Sequence, residues 1–142
     1  MSADTRRSTG YSGTPLVRKL GLKPGMRAAY VGAPPGFDAL VGALPDGVRV
    51  LARPGREGMD LVVLFVTARR ELERRVGRLR EAILPAGMLW VAWPKRSSGV
   101  PTDLTEDVVR DVALPTGLVD VKVCAIDETW SGLKLVVRKE LR

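Results

Sequence analysis

This sequence predicts an α/β protein built on a single open, mostly parallel sheet, and three observations carry the prediction. Residues 61–66 (LVVLFV) and 88–93 (MLWVAW) are continuous apolar runs of strand length, as expected of strands covered on both faces. Between them Leu72, Val76, Leu79 and Ile83 recur at spacings of 4, 3 and 4 in an otherwise charged stretch, the apolar stripe of a helix over 70–84. A helical crossover between two buried strands makes those strands parallel neighbours.

The remaining elements follow in chain order. Residues 1–10 are polar and charged and predict a disordered tail, leaving 11–142 as one domain. Thr14 and Pro15 suit the start of a short helix, with Leu16 and Leu20 on one face and Gly21 at its end. A Lys23-Pro24-Gly25 turn leads to a first strand over 26–31. The loop 32–36, a short apolar helix over 37–44, a Pro45-Asp46-Gly47 turn and a strand over 48–52 come next. Residues 53–58 form a polar loop, and Asp60 leads the strand 61–66. Glu71 and Arg75 stand at i, i+4 on the helix that follows. Pro85-Ala86-Gly87 turns the chain into the strand 88–93, and 94–101 is the longest loop. Asp103 and Glu106 have capping-box spacing for a helix over 104–113, which Pro115 and Gly117 stop. Strands over 119–126 and 133–139 close the chain as a hairpin. The result is a six-stranded sheet, parallel except for its last strand, because room for a crossover precedes every strand but that one.

Composition excludes several chemistries. The chain has no histidine, asparagine or glutamine and a single cysteine, Cys124. A Ser-His-Asp triad, a thiolate–imidazole pair and a structural zinc site are therefore unavailable, and no metal or catalytic residue is assigned. The lone cysteine and the polar start predict a cytoplasmic protein. No apolar run approaches the roughly 20 residues of a membrane span. The net charge of +7 is uneven: residues 1–80 hold fifteen basic and seven acidic side chains, and residues 81–142 hold eight and nine. A basic half attracts anionic ligands, acidic proteins or nucleic acid. With no helix-turn-helix, finger or aromatic-interleaved basic strand, nucleic acid is the less favoured partner, and the Arg-rich helix face over Arg74, Arg75 and Arg78 reads as solvated.

The motifs YSGTPL at 11–16 and LGLKPG at 20–25, Trp93-Pro94-Lys95, the Asp103/Glu106 pair and DVKVCAIDETWSGL at 120–133 resemble a small bacterial family, domain of unknown function 3052. That resemblance implies no reaction and no catalytic residue. The order of elements from Asp60 to Pro94 further resembles the second half of class I methyltransferases and implies their Rossmann-like sheet. Only one strand fits between the first strand and Asp60, where a full methyltransferase sheet has two. That family binds S-adenosylmethionine through a Gly-rich loop after the first strand and a ribose-binding acid after the second. Here Pro34 and Pro35 remove two amide donors from the first loop, and Arg53 stands where the acid should be. Neither S-adenosylmethionine nor NAD is expected as a cofactor.

An open parallel sheet binds ligands beyond the carboxyl ends of its strands. That edge should collect Arg69, Lys95, Arg96, Ser97, Asp127, Glu128 and Trp130 into a candidate binding rim, its partner an anionic small molecule or a protein. Three readings follow: a non-catalytic binding or regulatory module, an S-adenosylmethionine-dependent methyltransferase with an atypical cofactor loop and, with least in its favour, a nucleic-acid-associated basic protein. Whether the protein is an enzyme is left open.

Overall fold

The computed structural model describes residues 13–142, so the tail expected over 1–10 lies outside the described residues. Six strands form one sheet: β1 Arg27–Val31, β2 Arg49–Leu51, β3 Leu61–Phe65, β4 Met88–Pro94, β5 Leu118–Ala125 and β6 Trp130–Val137. Their spatial order is β2-β1-β3-β4-β6-β5. The first four run parallel, and β6 is antiparallel to both its neighbours, β4 and β5. β5 thus points the same way as β1–β4, as the sequence predicts, and the hairpin places β6 inside it. β2 is a three-residue edge strand, so the sheet ends where a fuller one would continue.

Helices cover both faces. On one lie α1 (Leu16–Leu20) and α2 (Phe37–Val41), over a core of Leu20, Leu61, Val63, Phe65, Trp90 and Ile126. On the other lie α3 (Arg69–Ala82) and α4 (Glu106–Ala113), over Val62, Leu64, Leu89, Val91, Trp93 and Leu133. All five residues of β3 are buried, and the stripe of Leu72, Val76, Leu79 and Ile83 lies against the sheet. Among the described residues no helix is long and apolar enough to cross a membrane.

Three local expectations change. The helix predicted over 37–44 stops at Val41, because Gly42 takes φ +81° and ends it. The first helix has Pro15, not Thr14, at its N-cap. The helix at 106–113 is capped by Thr105, whose hydroxyl accepts the Val108 amide at 3.2 Å, and not by Asp103. Asp103 instead accepts the backbone amide of Arg69 at 2.7 Å, where α3 begins without a side-chain cap of its own. Beside it the Thr102 hydroxyl donates to the Thr67 carbonyl at 2.5 Å. The loop leading to α4 is thereby strapped over the start of α3. We predict that Asp103→Ala lowers stability by about 0.5–2 kcal/mol, the range for a lost helix cap, and that Asp103→Asn recovers part of it. Urea unfolding of the two variants checks this; an Asp103→Ala protein as stable as the parent would leave the cap without energetic weight.

Candidate functional site

The carboxyl edge of the sheet collects the loops after β1, β2, β3 and β4 and the β5–β6 turn, but the predicted rim does not assemble there as one surface. Lys95, Arg96 and Ser131 line a cleft of about 550 Å³ with Trp93 and the start of α4. Ser97 is exposed in the one-turn 3-10 helix Arg96–Ser98. Arg69 lies at the start of α3, its guanidinium paired with Glu73 at 2.9 Å.

The hairpin residues have local duties. Asp127 Oδ1 accepts the backbone amides of Thr129 at 2.8 Å and Trp130 at 2.7 Å, which fixes the turn. Glu128 is exposed at its tip. Trp130 begins β6 rather than standing in the loop, since the strand starts three residues before the predicted position. Its ring is half-buried on the α1/α2 face, edge-on to Phe65 with centroids 5.1 Å apart. It therefore continues a row in which Phe65 meets Phe37, and Phe37 meets Tyr30, each at 4.9 Å. Trp130 and the Lys95/Arg96 cleft use opposite faces of the sheet.

A second concavity was not expected. Between α3 and the ends of β1 and β2 lies a cavity of about 350 Å³ whose floor includes Val31, Leu79 and Ala82. Among the described residues its wall carries four guanidinium residues, Arg53, Arg74, Arg75 and Arg78, and no carboxylate. Arg74 and Arg75 share the Glu71 carboxylate at 3.8 and 3.2 Å. Arg53 and Arg78 have no ion-pair partner among the described residues. The groove exists because the sheet stops at β2, so nothing packs beside this flank of α3. The sequence holds two signals for it, the Arg74/Arg78 i, i+4 row and the single strand between the first strand and Asp60. Neither alone tells a groove wall from a solvated helix face.

Other titratable groups give no reactive centre. Burial pushes the Cys124 thiol up, although Lys19 and Lys122 oppose that, so the thiol is disfavoured as a nucleophile. Lys19 is buried and donates to the Ala125 carbonyl at 2.8 Å. Its ammonium is pushed down, first by burial and then by Lys95 and Lys122, with Cys124 acting the other way. The Tyr30 hydroxyl, raised by burial and by Asp38, is buried without a hydrogen-bond partner among the described residues. Asp60 accepts the Arg27 amide at 2.9 Å at the opposite, amino edge of the sheet, where it joins strand starts. No cluster that could hold a metal ion is present among the described residues.

No family model and no curated protein matches the chain. Solved structures do match its fold, and the matches include methyltransferases. A SAM-dependent methyltransferase from Aquifex aeolicus is 16% identical with a TM-score of 0.60, over 96% of this chain and all of that one. The fibrillarin of Aeropyrum pernix, solved with natively bound S-adenosyl-L-methionine, is 16% identical with a TM-score of 0.54, over 95% and 74%. The O-methyltransferase NcsB1 of neocarzinostatin biosynthesis, solved with S-adenosylmethionine and a naphthoic acid, is 14% identical with a TM-score of 0.63, over 96% and 55%. The fold is thus the methyltransferase-like Rossmann sheet.

The residues present do not fit that cofactor. Gly32 has φ +71°, and a Cβ there would stand 2.9 Å from the Phe65 carbonyl oxygen. Its missing side chain lets the loop cross β3 closely. Past β2 the chain offers Ala52, Arg53 and Pro54, none of which has a side-chain acceptor for ribose hydroxyls. The groove beside them is lined by cations, whereas the cofactor carries a sulfonium cation.

Proposed function

We propose that this chain is a binding or regulatory module on a methyltransferase-like sheet, and that its ligand is an anion held in the groove between α3 and the ends of β1 and β2. The observation that carries this reading is the lining: four arginines, an apolar floor and no carboxylate. Guanidinium groups recognise carboxylate and phosphate through paired, planar hydrogen bonds. The Lys95/Arg96 cleft is a second cationic concavity on the same edge. The resemblance to domain of unknown function 3052 supports a bacterial source and assigns no reaction. A cytoplasmic setting rests on the single cysteine, Cys124.

A second reading, an S-adenosylmethionine-dependent methyltransferase with an atypical cofactor loop, has the solved structures in its favour. They support it better than they support a module without a reaction, since the similar proteins named above are methyltransferases. The two readings differ in the charge of the ligand. Titration calorimetry with S-adenosylmethionine and S-adenosylhomocysteine separates them. We predict no saturable heat from either. A dissociation constant at or below about 10 µM, equivalent to roughly −7 kcal/mol, would overturn the first reading in favour of the second.

A further inference from the structure

We propose that the α3 groove takes a phosphorylated molecule with a flat apolar part, the chemical class of the nucleoside phosphates, with its phosphate among Arg53, Arg74 and Arg78. The inference rests on the reading of this groove as the ligand site. Each half of the ligand answers one half of the lining. Val31, Leu79 and Ala82 offer apolar surface, and a cavity of about 350 Å³ matches the lower range of small-molecule sites. Four guanidiniums share this wall, and among the described residues the one carboxylate that pairs with any of them, Glu71, lies outside the lining. Like charges gathered around a low-dielectric floor repel one another, and a bound anion removes that cost.

Phosphate suits this wall better than a single carboxylate does. A terminal phosphate carries about −1.5 to −2 charge at neutral pH and three acceptor oxygens, enough for several guanidinium forks at once. The groove also continues past Arg78 and Gly55 into a cavity of about 480 Å³ that adds Arg56. Glu57 and Glu81 line that extension as well, and Glu81 is held by Arg80 at 2.6 Å. The two carboxylates offset Arg56 there, so the phosphate is placed in the first cavity.

A polynucleotide fits less well. Single-stranded nucleic acid is held by stacking on successive aromatic side chains beside a basic track; of the described aromatic row Tyr30 reaches this lining, its hydroxyl buried, while Phe37, Phe65 and Trp130 pack on the opposite face. Arg70, exposed on α3 outside the groove, would be drawn into a polynucleotide contact but not into this one.

Calorimetry on the full chain tests the proposal with adenosine 5′-diphosphate, adenosine, citrate and a 20-nucleotide RNA as probes. Adenosine diphosphate is expected to bind at least roughly tenfold more tightly than adenosine, a factor worth about 1.4 kcal/mol. Arg53→Glu and Arg78→Glu should each weaken it by about tenfold or more. Arg70→Glu makes the same charge change outside the groove and should stay within about twofold. All three side chains are exposed, and a thermal melt of each variant confirms folding. Equal affinity for the diphosphate and adenosine, or equal losses in Arg70→Glu and Arg78→Glu, would overturn the proposal. Citrate binding that is lost in Arg78→Glu, with no response to the diphosphate, would keep the groove as an anion site and overturn the phosphate class. RNA binding weakened alike by Arg70→Glu and Arg78→Glu would replace it with a nucleic-acid surface. No response to any probe, in parent or variants, would remove both the phosphate class and the groove.

Discussion

Trp90→Ala is expected to destabilise the protein by about 3–5 kcal/mol, the largest loss among the changes considered for this chain. Trp90 is in the middle of β4, between Val63 of β3 and Lys134 of β6, and is fully buried. One neighbour makes room for its ring and another takes its indole hydrogen. Gly132 on β6 stands beside its ring, where an added Cβ would come within 3.1 Å of Trp90 and 2.9 Å of Ile126. Its indole Nε1 donates to the Leu20 carbonyl at 3.0 Å, one of the acceptors left over at the end of α1. The side chain thus fills the core of one face and ties a five-residue helix to the sheet. Trp90→Phe should separate the two roles. It retains much of the packing but strands a buried carbonyl, which costs about 1–3 kcal/mol. Urea unfolding of both variants measures the difference; a Trp90→Ala loss under about 1 kcal/mol would mean that the indole is not a core element.

How far the sequence revealed these arrangements depends on how local their causes are. The run at Leu61–Phe65 and the stripe through Leu72, Val76, Leu79 and Ile83 are short-range patterns, and the folded chain uses them where they stand. Asp103 shows the opposite case. Its spacing to Glu106 is that of a capping box, yet the Arg69 amide, 34 residues away in sequence, takes its carboxylate, and Thr105 caps α4. Local propensity was correct about the chemistry of Asp103 and silent about its partner. The arginine groove was hidden for a different reason. Arg74 and Arg78 line a cavity only because the sheet ends at β2 and the flank of α3 is uncovered. A helix face read alone does not contain that information. Of the rim, Lys95 and Arg96 do meet, beside Ser131, because Trp93 and Ser131 pair across β4 and β6 and point to one face. Trp130 pairs with Pro94 in the same ladder and faces the other way, as strand alternation requires.

That alternation sets the expected behaviour of Trp130, which the sequence places in the binding rim. Trp130→Ala should lower stability by about 2–3 kcal/mol. Its ring is half-buried, so the loss should fall below the fully buried Trp90 case. It ends an edge-to-face row through Phe65, Phe37 and Tyr30, and each such pair adds about 0.5–1.5 kcal/mol beyond area burial. Its backbone belongs to the turn through Asp127 and the Ile126 amide, and both hydrogen bonds survive the substitution. The loss should therefore come from the ring alone, and Trp130→Phe should recover more than half of it. The same variant bears on function, because the Lys95/Arg96 cleft and the arginine groove both open on the α3/α4 side of the sheet. Anion binding measured on folded Trp130→Ala protein should therefore stay within about threefold of the parent, well short of the roughly 2 kcal/mol that marks a binding hot spot. A variant with the parent's melting temperature and a tenfold weaker ligand would return Trp130 to the binding surface and move the site to the α1/α2 face.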